Sequence, residues 1–124
     1  MMKDRLQTMF ALQEELMQRY KENDDDFPEW PIDLRSKKQQ KFVRDVLTNS
    51  AAEIFEAAVE LRNHKQHRQT EILEFDREKF LIEIIDAQKF LFEACIMLNI
   101  TAEEFMDAYV RKNNVCHERL NDRY

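Results

Sequence analysis

The chain of 124 residues contains no glycine. An average chain of this length would hold roughly nine. Two phosphate-binding devices are thereby excluded, since the Walker loop and the dinucleotide fingerprint both need glycine where backbone crowds a phosphate. Tight two-residue hairpins are disfavoured as well, because their turns call for residues at positive φ. Helices need glycine least. There are two prolines, and good helix formers (alanine, leucine, glutamate, lysine, glutamine) are abundant, so the composition predicts an all-α protein. No internal repeat or second composition regime divides the sequence, so we expect a single domain over residues 1–124 with four to five helices.

The formal net charge is −6, from 25 acidic and 19 basic side chains. A field of that sign repels nucleic-acid polymers and anionic membranes, but not a nucleotide whose phosphates already carry a cation. Cys95 and Cys116 form no paired motif, and Cys95 lies in an apolar run, which predicts reduced thiols. Met1-Met2-Lys3-Asp4-Arg5 opens an amphipathic stretch unlike a secretory leader, and no apolar run is long enough to span a bilayer. The expected setting is the cytoplasm.

Apolar residues at helical spacing (Leu6, Met9, Phe10, Leu16, Met17, Tyr20) predict a first helix over about 4–22, with Gln13 on the same face. Asn23-Asp24-Asp25-Asp26 ends it, and Pro28 and Pro31 forbid helix on both sides of Trp30. That tryptophan suits either a packing anchor or a base-stacking platform. Asp33 or Ser36 is placed to cap a helix over about 34–62, either continuous or broken at Ser50, which stands three before Glu53 as in a capping box. Residues 63–73 read as a polar loop. A third helix over about 74–98 is apolar nearly all round, the pattern of a central helix. Asn99 suits the left-handed terminal position, and Thr101-Ala102-Glu103-Glu104 caps a last helix over about 101–117. The Met and Phe stripes are expected in the core. The run Arg35, Lys37, Lys38, Lys41 and Arg44 reads as a solvated face that would also draw in an anion.

Two acidic pairs carry the candidate chemistry: Glu53-Ile54-Phe55-Glu56, with Glu60 a turn on, and Glu83-Ile84-Ile85-Asp86. Residues three apart share a helix face, so two such helices packed antiparallel would gather four carboxylates, a donor set for Mg²⁺ or Mn²⁺. Spacing alone proves little, because so acidic a chain yields about five such pairs by chance. Context adds weight: Glu83 and Asp86 interrupt the most apolar run, where a buried carboxylate must be paired, protonated or metal-bound. His64 and His67 read as solvated loop residues. His117 suits a surface or phosphate-facing position.

The order E-x-x-E, 26 residues, E-x-x-D resembles the motif of the all-α nucleoside triphosphate pyrophosphohydrolases, the MazG-like enzymes. The C-terminal third is similar to the branch of dimeric dUTPases and phage dCTPases. Thr101-Ala102-Glu103-Glu104-Phe105 begins fifteen residues after Asp86 and is followed by Tyr109-Val110-Arg111-Lys112-Asn113, Arg119 and Tyr124. The resemblance covers most of the chain and is strongest over 50–124. It implies a helical bundle that forms a homodimer and hydrolyses dUTP or dCTP to the monophosphate and pyrophosphate with Mg²⁺. It also implies roles: Glu53, Glu56, Glu83 and Asp86 as metal ligands, with Glu53 and Glu56 catalytic. Lys112, Asn113 and Arg119 would hold phosphates, and Gln13, after Leu12, would read the base. The chain departs from the pattern at Lys89 and Glu93, where such enzymes often carry histidine and asparagine, and at Cys116, where a second asparagine is expected. In such enzymes those positions lie toward the nucleoside, which leaves the base open. Two other classes remain: an enzyme that clears non-standard nucleotides, and a non-catalytic helical binding or interaction protein.

Overall fold

Four helices account for the regular structure of the computed structural model, which describes residues 4–69, 71 and 74–122. Met1 to Lys3, Thr70 at the end of the polar loop, and Tyr124 lie outside the described residues. The helices are α1 (Arg5–Asn23), α2 (Lys37–Val59), α3 (Arg77–Met97) and α4 (Ala102–Asn121), and no strand occurs among the described residues. The all-α expectation holds, with four helices.

Local chemistry sets the helix ends. Asp4 caps α1 in a reciprocal capping box with Gln7. Ser36, rather than Asp33, caps α2 by accepting a hydrogen bond from the Gln39 amide. Asp33 instead binds the Arg35 backbone and guanidinium, which hold its carboxyl below the usual range. Helix α2 is continuous through Ser50, so Ser50 caps nothing. Asn99 ends α3 at φ 60, with the Ile100 amide donating to the Cys95 carbonyl and the Asn99 amide to that of Ile96. An asparagine thus takes the place of the missing glycine, as it does at Asn63 with φ 59. Thr101 caps α4, which extends to Asn121, beyond the expected end.

The chain divides into two compact units, with the boundary inside α3. One takes the chain up to Pro31 and from Cys95 onward, and the other is Ile32–Ala94. In the first, α1 packs on α4, and Phe10 meets Phe105 edge-on at 5.8 Å between ring centroids. Phe10, Gln13 and Met17 of α1 are buried. The proline-flanked segment folds back on α1: Trp30 donates from Nε1 to Glu14 at 3.1 Å, its ring meets Phe27, and Lys21 lies over it. Trp30 is a packing anchor here, and the Trp30–Pro31 peptide is cis.

In the second unit α2 and α3 run antiparallel. Ser50 pairs with Ala87 and Glu60 with Lys79, so rising numbers on α2 meet falling numbers on α3. Small residues line the seam: Ser50, Ala57 and Ala87 are all buried, which lets the backbones approach closely. The Ser50 hydroxyl donates to the Ala87 carbonyl at 2.8 Å and fixes the register. Two expectations need correction. The first half of α3 is not central, because Leu81, Ile82, Ile84 and Ile85 are exposed in the chain. Nor are all Met and Phe residues core, since Met9, Met106, Phe55 and Phe75 are also exposed. The basic run is a solvated face as expected, with Lys41 paired to Asp45 and Arg35 to Asp33.

Glu60, the third acid of the α2 group, has a structural job. Its side chain is buried at the α2 terminus, 3.2 Å from Lys79 and 3.8 Å from Arg62. Removing one partner of a buried charge costs far more than removing an exposed pair. Lys79→Ala should therefore cost about 1–2 kcal/mol, below the roughly 3–5 kcal/mol of a fully buried pair, because the lysine is half-exposed and Arg62 remains beside Glu60. Lys41→Ala, at the exposed pair, should cost less than about 0.5 kcal/mol. Thermal unfolding of the two variants side by side checks the contrast.

Candidate functional site

The register fixed by Ser50 and Ala87 brings the acidic pairs level. Glu53 and Glu56 lie three apart on α2, and Glu83 comes from α3. One carboxylate oxygen from each of the three lies within 4.8 Å of the others. Glu53 and Glu83 are half-buried and Glu56 is exposed, so the cluster opens to solvent. Asp86 is half-buried three residues further along α3, outside this group of three. The expectation of deeply buried carboxylates at Glu83 and Asp86 is thus corrected: both stay within reach of water, so neither carries the full cost of an unpaired buried charge.

The electrostatics match the crowding. Hydrogen bonding with Glu83, and then with Glu56, raises the Glu53 pKa to about 7, and partial desolvation and both neighbouring charges add to the rise. Like charges held this close retain a proton unless a cation takes its place. Three carboxylates from two helices are hard oxygen donors that leave coordination positions to water and phosphate, which suits Mg²⁺ or Mn²⁺.

Gln13, Lys112, Asn113 and Arg119, also singled out from the sequence, belong to the first unit. Gln13 is buried on α1, and its Oε1 has no hydrogen-bond partner among the described residues. Lys112 and Asn113 stand exposed on α4, and Arg119 lies in the last turn of that helix, where a cation suits the helix dipole. His64, His67 and His117 are exposed. Cys95 and Cys116 are free thiols, with Cys95 pushed up by burial and then by Glu104.

One buried acid escaped the sequence reading as a group with its own chemistry. Glu93 on α3 is only 4% exposed, and burial raises its pKa to about 7 against the opposing pull of Lys89. The signal was available: Glu93 sits inside Phe90-Leu91-Phe92-Glu93-Ala94, flanked by apolar residues on both sides. Comparison with protein families, with curated proteins and with solved structures finds no match to this chain.

Proposed function

We propose that the chain is a Mg²⁺-dependent pyrophosphohydrolase of a deoxypyrimidine nucleoside triphosphate, dUTP or dCTP, yielding the monophosphate and pyrophosphate. The observation that supports this reading best is the meeting of Glu53, Glu56 and Glu83 within 4.8 Å from two helices, in the motif order of the all-α pyrophosphohydrolases. Glu53, Glu56 and Glu83, with Asp86 beside them, would hold the metal. Mg²⁺, when bound, supplies charge neutralisation and polarisation at the phosphates. Glu53 or Glu56 orients the attacking water and accepts its proton while the bridge between the α- and β-phosphates breaks. The resemblance assigns Lys112, Asn113 and Arg119 to the phosphates, where they would offset charge on the oxygens. The resemblance assigns base reading to Gln13, whose buried Oε1 lacks a partner among the described residues and would accept from a base N–H. Two free cysteines suit a reducing compartment such as the cytoplasm, and no helix among the described residues is long and apolar enough to cross a membrane. The functional form is a homodimer.

Glu93 favours one second reading. An acid at a position where similar enzymes carry a nucleoside-facing asparagine suits an enzyme that clears non-standard nucleotides. A panel of canonical and modified nucleoside triphosphates, assayed for pyrophosphate release with Mg²⁺ and with EDTA, tests both. dUTP or dCTP should be turned over fastest, and EDTA should abolish release, because the bare acidic cluster repels a triphosphate. Preference for a modified base would select the second reading. Metal-independent turnover, or no turnover of any member, would sink both.

A further inference from the structure

We propose that Arg62 and Lys79 form a seat for two linked phosphates beside the carboxylate cluster, the place of the pyrophosphate half of the substrate. The proposal rests on the triphosphate reading of that cluster. It adds two binding residues, and a direction for the phosphate chain, that the resemblance does not supply.

All the groups involved lie in the second unit. Glu53 and Glu56 on α2 are followed by Glu60 at its C-cap, at spacings of three and four. Lys79 and Glu83 stand four apart on α3. Residues so spaced share a helix face. Glu83 reaches Glu53 and Glu56, while Lys79 reaches Glu60 at 3.2 Å. The α2/α3 pair therefore carries two layers on one side, a helical turn or about 5.4 Å apart. The first is the three carboxylates, and the second is Glu60 with Lys79 and Arg62. In the opposite direction the seam continues with Ser50 and Ala87, small, buried residues that offer a phosphate no charge.

The second layer holds more positive charge than the fold requires. One buried carboxylate needs one counter-charge, and here two are present. Both cations keep capacity to spare, with side chains 52% (Arg62) and 56% (Lys79) exposed. The 3.8 Å from Arg62 to Glu60 is too long for a hydrogen bond, so its five N–H groups have no acceptor among the described residues. The Lys79 ammonium has three donors and meets Glu60 alone among those residues. Between Leu61 and Gln69 the chain adds Lys65 and Arg68 and no acid, a positive field in a protein of net charge −6. A guanidinium and an ammonium beside hard-metal donors suit a metal-bound diphosphate. As water bonds to the α-phosphorus, its proton passes to Glu53 or Glu56 and the bridging oxygen departs with its electron pair on pyrophosphate. Arg62 and Lys79 offset the charge that the leaving group gains.

Calorimetric titration of the full chain with inorganic pyrophosphate in Mg²⁺ tests the seat without any turnover. The wild type should bind it, and Arg62→Gln should bind about tenfold more weakly, the worth of one charge-assisted hydrogen bond. Arg62→Lys should recover part of the loss. Lys79→Gln should act as Arg62→Gln does. Where it fails to fold, Arg62→Gln decides alone, since that arginine lies beyond the helix and no hydrogen bond is lost with it. Lys41→Ala, toward the other end of α2, should bind as the wild type does. Mg²⁺ alone should bind Arg62→Gln no more weakly than wild type, because the cluster is untouched. Pyrophosphate binding that ignores both cations, or is absent from the wild type, overturns the proposal, and so does equal affinity for inorganic phosphate. Turnover in the nucleotide panel would then still support the hydrolase reading. Binding that depends on both cations, with no nucleotide turned over, keeps the seat and removes the hydrolase.

Discussion

Glu53→Gln should lower pyrophosphate release by about 10²- to 10³-fold, the usual loss when one group that stabilises or drives a charged transition state is removed. The same variant should fold at least as well as the wild type, and that pairing separates a site from a surface charge. Glu53 holds its proton up to about pH 7 because Glu83 and Glu56 crowd it. In the unfolded chain it loses that proton near its ordinary 4.5. The native state therefore binds more protons between those values, and stability falls as pH rises through the window. Above pH 7 the wild type retains the full repulsion and glutamine removes it. Thermal unfolding at pH 8 without metal should show Glu53→Gln melting no lower than wild type. Mg²⁺ should raise the melting temperature of wild type, because a ligand of the native state stabilises it, and should do so far less in the variant. Wild-type rates in Glu53→Gln would reduce the cluster to solvated acids.

Glu93→Gln should have the largest effect on stability. Glu93 is almost wholly buried and its pKa is raised to about 7 by desolvation, opposed by Lys89. The sign follows as for Glu53: the contribution is nil below the unfolded pKa near 4.5, becomes unfavourable as pH rises toward 7, and stays constant above it. A rise of this size, which already includes the opposing pull of Lys89, corresponds after a discount for residual screening to about 2 kcal/mol at pH 8. Glutamine has nearly the same shape and no charge. Glu93→Gln should thus raise the melting temperature by about 5–10 °C at pH 8 and leave it unchanged near pH 4, measured by circular dichroism across that range. An equal effect at both ends would show that packing, not ionisation, governs this position. If the hydrolase reading holds, retention of an acid that destabilises the fold points to use of Glu93 in binding. The base preference of Glu93→Asn in the nucleotide panel then becomes the informative comparison.

How legible the chain was differs by level. Helix ends were readable because they depend on neighbours: Ser36, Asn99 and Thr101 do their capping within a few residues. Boundaries drifted where the signal was one of continuity, as in α4, whose helical periodicity runs on past His117 to Asn121 without a breaker. Capping spacing at Ser50 misled for a physical reason. A serine inside a continuous helix finds its partner across the seam, at the Ala87 carbonyl, and that partner is 37 positions away in sequence.

The acids show the same division. Spacing alone could not distinguish Glu53 and Glu56, which join Glu83, from Glu60 one turn on, which is buried against Lys79 and Arg62 and holds the helix ends together. Nor could hydrophobicity reveal that the apolar first half of α3 faces outward in the single chain. A stripe of leucine and isoleucine reports that something must cover it, without saying whether the cover lies in the same chain.

What the sequence by itself determined is the helical class, the caps and the exclusion of glycine-cradled phosphate, since each depends on backbone preferences confined to a few neighbouring residues. Only the tertiary structure decided which three carboxylates meet, which acid became a clamp, and which apolar faces remain uncovered. Those outcomes follow from the antiparallel register of α2 on α3, set by small residues at the seam and by one hydroxyl-to-carbonyl hydrogen bond across it. Local periodicity carries no record of that register.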